Sequence, residues 1–161
     1  MYQTSLAGGF LLEALKLVGD QVVYQLGAEN PLGAGLPIPK AQDCSEVVQV
    51  ALSRVPLTAV SNGAGKITPV ANFDGAGNQF LACKEISVAD ALRTPGALLF
   101  VQSSTNYPGK PANIGHVAIS LGNGATIEAR GKAAGTGVFS AYNKNGTCRF
   151  NKAGKIPELY Q

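Results

Sequence analysis

Cys44, His116 and Glu128 are the residues of this chain whose types and placement could carry out nucleophilic chemistry. Asp43 precedes the cysteine, Glu46 follows it, and Val47, Val48, Ala51, Leu52 and Val55 recur at helical spacing, the pattern of a capping box that opens a helix. The spacing predicts Cys44 in the first turn, where unpaired backbone N–H groups and the positive end of the helix dipole favour a thiolate. A lone cysteine is most often an inert small hydrophobe, a lone histidine an ordinary strand-end side chain, and a lone glutamate a solvated one. Together, a helix-start thiol, one histidine and a carboxylate beside it supply a nucleophile, a base and a group to orient the base.

The partnership of His116 with Glu128 follows from strand register. His116 to Arg130 reads as two alternating runs around Gly122-Asn123-Gly124, a hairpin signal. A two-residue loop would place Thr126, Glu128 and Arg130 on the face of Val117, Ile119 and Leu121, burying a charge pair among aliphatic side chains. A three-residue loop instead puts Ala125, Ile127 and Ala129 on that face and gathers His116, Ala118, Ser120, Thr126, Glu128 and Arg130 on the other. The second register keeps the charges out of the core. It sets Ala118 opposite Glu128 and makes His116 and Glu128 diagonal neighbours, roughly 7–8 Å apart between backbones. A structure pairing Ala118 with Ala129 would contradict it. Arg130 is left either to neutralise Glu128 or to meet a substrate carboxylate.

The elements that must hold these residues are legible in part. Phe10, Leu11, Ala14, Leu15 and Val18 predict a first helix over residues 6–17, stopped by Gly19; the glycines and prolines of residues 27–39 predict a surface loop. Residues 61–78 read as an irregular Gly- and Asn-rich stretch, and Ser87 with Asp90 caps a short helix ended by Pro95-Gly96. Leu98 to Val101 predicts a buried strand, and residues 102–115 a polar loop.

Length and composition bound the rest. The chain's 161 residues amount to one domain, spanning residues 1–161. Apolar residues make up 45% and charged residues 14%, which excludes disorder. Thirteen Lys and Arg against ten Asp and Glu, scattered along the chain, give no nucleic-acid footprint and suit a polyanionic surface as well. No apolar run reaches the ~20 residues of a membrane span, so no membrane partner is expected. Residues 1–10 lack the basic start and cleavage site of a secretory leader. A single histidine and no Cys-x-x-Cys pair argue against a metal site, and no cofactor is expected. Three cysteines leave at least one thiol free, with a Cys83–Cys148 pairing left open.

Asp43-Cys44-Ser45 before an apolar helix, Thr94-Pro95-Gly96-Ala97-Leu98-Leu99-Phe100 leading into a strand, and Gly115-His116-Val117-Ala118-Ile119-Ser120-Leu121-Gly122-Asn123-Gly124 resemble the NlpC superfamily of papain-like cell-wall cysteine peptidases, in order and spacing. Tyr24-Gln25-Leu26-Gly27 is similar to the family's Tyr-x-x-Gly element, and residues 126–131 with 137–140 are especially similar to versions in bacteriophage lysins and tail-associated proteins. The resemblance implies an α+β, papain-like fold with N-terminal helices packed on a central antiparallel sheet. It implies Cys44 as nucleophile, His116 as base and Glu128 in the third position, where the family usually has His or another polar residue. Tyr24, Asp43 and Ser45 are then expected to line the pocket for the substrate residue before the scissile bond, and residues 103–115 to form one wall of the cleft.

The implied reaction is endopeptidase cleavage of bacterial peptidoglycan stem peptides, most often at the D-glutamyl to diamino acid bond, by a phage lysin or a tail-borne enzyme with other virion proteins as partners. The chain departs from the family at Glu46, where Gly is usual, and at Ala97, where an acidic residue is usual. Glu46 lies close enough to Cys44 to influence its ionisation and access. Two other readings use the same fold: a virion or secretion-apparatus domain that binds wall peptide with little activity, and an amidase or acyltransferase.

Overall fold

The computed structural model describes residues 5–19, 23–132 and 134–161; residues 1–4 of the segment read for a leader lie outside them. In chain order the elements are α1 (Leu6–Leu15), β1 (Val23–Tyr24), β2 (Ala41–Gln42), α2 (Cys44–Ser53), β3 (Ala59–Ser61), β4 (Ile67–Pro69), α3 (Ala76–Ala82), β5 (Lys84–Ile86), α4 (Val88–Leu92), β6 (Leu98–Gln102), β7 (Ile114–Ser120), β8 (Ala125–Ala129), β9 (Thr136–Ser140) and β10 (Lys152–Lys155). Among the described residues, six strands form one sheet in the order β5-β10-β6-β7-β8-β9, antiparallel at every pairing. This is the expected α+β architecture.

Alternation along the strands divides the core between the two faces of the sheet. Leu98, Phe100, Val117, Ile119, Ile127 and Ala129 pack with α1 and α2, while Leu99, Ala118, Phe150 and Ala153 pack with Ala91 of α4 on the other face. Helix α2 is the central element: every residue from Ser45 to Leu52 is buried, beyond the single apolar stripe the sequence suggested. A helix enclosed on most of its circumference is a core helix, and α1 covers it with Ala7, Phe10, Ala14 and, past the helix end, Leu17. Leu15, expected on the buried face of α1, is 41% exposed. The 7-10-14-17 stripe turns it outward, and the helix closes two residues before Leu17.

The hairpin has the three-residue loop. Ile119 pairs with Ile127 and Ser120 with Thr126, the register that sets Ala118 opposite Glu128. Gly122 and Gly124 take φ of 84° and 86°, a backbone region that glycine enters without penalty. β4 and the start of α3, by contrast, fall in residues 61–78, which the sequence reading left irregular. Glycine content concealed them, because Gly75 caps α3 with φ of 81° and Gly77 lies inside it.

Gly77 is where α3 meets the loop that enters β7. A Cβ built there would stand 2.1 Å from the Pro111 carbonyl oxygen, so only glycine permits this approach. We expect Gly77→Ala to destabilise the fold by about 1–3 kcal/mol as read by thermal melting. Gly8→Ala, with nothing within 4 Å of the new methyl, should be neutral or stabilise α1 by up to about 1 kcal/mol. Equal melting temperatures for the two variants would refute the close approach.

Candidate active site

Cys44 is the first residue of α2 and is half-buried. Asp43 caps the helix: its Oδ1 accepts from the Glu46 N–H and the Ser45 hydroxyl, each at 3.0 Å, and its Oδ2 accepts from the Gly27 N–H at 3.0 Å. The reciprocal half of the expected capping box is absent among the described contacts. Glu46 Oε2 instead accepts from Asn30 Nδ2 at 2.8 Å, tying the 27–40 loop to the helix start.

β1 and β2 pair in parallel, with Tyr24 beside Gln42, which brings the phenol to the start of α2. Burial, together with the negative charges of Cys44 and Asp43, raises its pKa. Tyr24, Asp43, Cys44 and Ser45 line one side of a cleft of about 440 Å³, with Asp74 to Asn78 and Gly109 to Pro111 opposite. The second set is the loop wall expected from residues 103–115, joined by the N-terminal end of α3, which the sequence reading did not foresee.

His116 enters from β7 just after a register shift: Val101 pairs with His116 but Gln102 with Ile114, leaving Gly115 as an extra residue. A bulge re-aims the side chains on either side of it. Strict alternation would put Ile114 on the face of His116, yet Ile114 joins the helix-side core. His116 Nε2 lies 3.0 Å from Glu128 Oε1, which leaves Nδ1 as the ring nitrogen for Cys44, and the imidazole stacks on Phe150 with ring centroids 6.3 Å apart at 16°. Burial works against a charged ring. Hydrogen bonds to Cys44 and Glu128, with their negative charge, outweigh it and push the His116 pKa up to about 9.

Glu128 is wholly buried. Burial pushes its pKa up, but hydrogen bonds from His116, Arg149 and Thr126 overcome this and hold it down at about 2. Thr126 Oγ1 donates to Oε2, and Arg149 donates to both oxygens, from Nη1 to Oε1 at 2.9 Å and from Nη2 to Oε2 at 2.7 Å. Arg130 is looser, its Nε 3.8 Å from Glu128 Oε1 and its guanidinium 5.0 Å from the Phe139 ring centroid. It stands apart from Tyr24, Asp43 and Ser45, which share the cleft with Cys44.

The structure therefore brings Cys44, His116 and Glu128 together, with Tyr24, Asp43 and Ser45 beside the thiol and Arg130 behind the carboxylate. Arg149 and Phe150 were not read from the sequence. Among the described residues no group of three or more His, Cys, Asp and Glu could hold a metal ion. All three cysteines are free; burial raises the pKa of the Cys83 thiol, leaving it protonated and inert. The arrangement can generate a thiolate, donate a proton to a leaving group and hold the imidazole in one orientation.

Glu46 carries a measurable consequence of the same packing. It is 2% exposed, and burial, with the charges of Asp43 and Asp74, raises its pKa to about 7 against the bond from Asn30. An acid whose folded pKa exceeds its unfolded value costs stability once it ionises, so wild-type stability falls as pH rises from about 4.5 through 7. Glu46→Gln, which still accepts from Asn30, should gain on the order of 2–3 kcal/mol over wild type at pH 8 and almost nothing at pH 4. Melting curves at the two pH values check this; an equal difference at both would contradict it.

No protein-family model matches the chain, and no curated protein sequence matches it. Solved structures do. The NlpC/p60 domain of the peptidoglycan hydrolase SagA superposes with a TM-score of 0.62 at 23% identity, over 93% of this chain and 98% of that one. The peptidoglycan hydrolase RipB of Mycobacterium tuberculosis gives 0.59 at 24% identity, over 94% of this chain and 64% of that one. NlpC1 of Trichomonas vaginalis gives 0.63 at 17% identity, over 97% of this chain and 46% of that one. These likenesses establish the fold as that of the NlpC/p60 domains.

Proposed function

We propose that this chain, built on the NlpC/p60 fold, is a peptidoglycan hydrolase: one cysteine endopeptidase unit over residues 1–161 that cleaves stem peptides of the bacterial cell wall, at the D-glutamyl to diamino acid bond. The observation that carries the reading is His116 held at 3.0 Å against the buried carboxylate of Glu128 and close enough to the helix-start Cys44 for that thiol to raise its pKa. SagA and RipB are named as peptidoglycan hydrolases, which supports the same substrate here. The similarity of residues 126–131 and 137–140 to versions in phage lysins and tail-associated proteins supports action at the wall from a virion tail or as a released phage lysin, with other virion proteins as partners. No described helix is long and apolar enough to cross a membrane.

The chemistry follows from the atoms. Proton transfer from Cys44 to His116 Nδ1 gives thiolate and imidazolium, and the Sγ lone pair attacks the amide carbon. The oxyanion meets the Cys44 backbone N–H, which has no intrahelical acceptor in the first turn. His116 then gives its proton to the departing amine as the C–N bond breaks. Water, deprotonated by His116, attacks the thioester, releases the carboxylic acid and restores the thiol. Glu128 holds Nε2–H throughout. On the substrate side, Asp43 has three of about four lone-pair positions occupied by Gly27, Ser45 and Glu46, leaving one for an ammonium group. Tyr24 and Ser45 flank it, while Arg130 meets a substrate carboxylate only by leaving Phe139.

Purified peptidoglycan of diaminopimelate and lysine type, digested with wild type and with Cys44→Ala and read by mass spectrometry, tests the proposal. Wild type should release fragments bearing new amino termini whose masses name the bond, and Cys44→Ala should lose at least about 10³-fold of that rate. A transferred acyl group would point to acyltransfer, and a freed lactyl group to amidase chemistry. No product on either wall would overturn hydrolysis in favour of a wall-binding role.

A further inference from the structure

Resting on the peptidase reading, we infer that Arg149 is the positioning residue of the site: by gripping both oxygens of Glu128 it fixes the carboxylate on His116 Nε2 and so turns the imidazole toward Cys44. The fork is itself held. Arg149 Nε and Nη2 donate to the Ser140 carbonyl at 2.9 and 2.7 Å, at the end of β9, and the guanidinium lies 4.7 Å from the Phe150 ring centroid. Phe150 stacks in turn on His116. Two consecutive residues thus grip the pair from two directions, Arg149 through the carboxylate and Phe150 through the ring face. A planar, bidentate donor suits this task in a way that a lysine ammonium does not.

The geometry also distinguishes Arg149 from the other cation nearby. Arg149 has a side chain 13% exposed and two short contacts to Glu128, whereas Arg130 is 42% exposed with one contact at 3.8 Å. The charged and titratable groups around Glu128 are His116 from β7, Arg130 after β8 and Arg149 before β10; those around His116 are Cys44 from α2 and Glu128. Without Arg149, a wholly buried carboxylate keeps only Thr126, His116 and the distant Arg130, and burial then drives it toward protonation. A neutral Glu128 no longer supports the imidazolium that takes up the Cys44 proton.

Alkylation of Cys44 by iodoacetamide, followed against pH by peptide mapping, reads the thiolate and needs no substrate, so its outcome is independent of whether the wall is cleaved. Arg149→Met should raise the acid limb of the Cys44 profile by a pH unit or more, which is about tenfold slower alkylation on the acid side. Arg149→Lys should keep the limb within half a unit of wild type while slowing peptidoglycan cleavage several-fold. Arg130→Gln, which removes the looser contact at 3.8 Å, should shift the limb less than Arg149→Met does. In a Glu128→Gln background, where removing Arg149 strands no buried carboxylate, adding Arg149→Met should change nothing further, because Arg149 acts through Glu128. Superimposable profiles for wild type and Arg149→Met would overturn the inference, as would equal effects of Arg149→Met with and without Glu128.

Discussion

A carboxylate with none of its surface in water sits at the centre of this structure. Left alone among the side chains of a sheet face, Glu128 would be forced to take a proton, since an isolated buried charge is far costlier than a pKa shift. It stays ionised because His116, Arg149 and Thr126 all donate to it. Each of those donors comes from a different stretch of chain, so the charge can exist only when β7, β8 and the segment before β10 are assembled. Fold and site therefore specify each other: the sheet that buries Glu128 delivers its partners, and one of those partners is the histidine that faces Cys44.

How much of this was legible in the sequence depended on whether the deciding interaction was local. The Asp43 cap, the Ser87 cap and the β7–β8 register were readable because each follows from residues a few positions apart. The register was fixed by the cost of placing Glu128 and Arg130 among Val117, Ile119 and Leu121. What stayed hidden was set by contacts distant in sequence. Arg149, 21 residues from Glu128, lies in a polar stretch with no periodicity; the nearer Arg130 is the natural guess for the carboxylate's partner and turns out to be the weaker one. The bulge at Gly115 and the parallel β1–β2 pair leave no local mark. α3 was masked by the glycine at its cap and by Gly77, which is there to admit the Pro111 carbonyl, a tertiary demand overriding helix propensity.

The cleft joins these levels. Cys44 and Ser45, at the start of the buried helix α2, line it. The Tyr24 side is tied down by Asn30 and Gly27 through Glu46 and Asp43, and the opposite side is docked on α3 through Gly77. Glu46, where the resemblance implies Gly, thus has a structural use: it anchors the 27–40 loop at the edge of the cleft, and the anchor is a buried acid that ionises only near neutrality.

The account rests on an imidazolium shared between Cys44 and Glu128. His116 is the chain's one histidine, so its ring resonances need no assignment by mutation, and an NMR pH titration of the imidazole nitrogens measures the claim directly. The account predicts a midpoint near 9, with the ring still protonated where a free histidine has lost its proton. A midpoint at or below the ordinary value of about 6.5 would show that neither Cys44 nor Glu128 holds the charge, and would contradict the site described here.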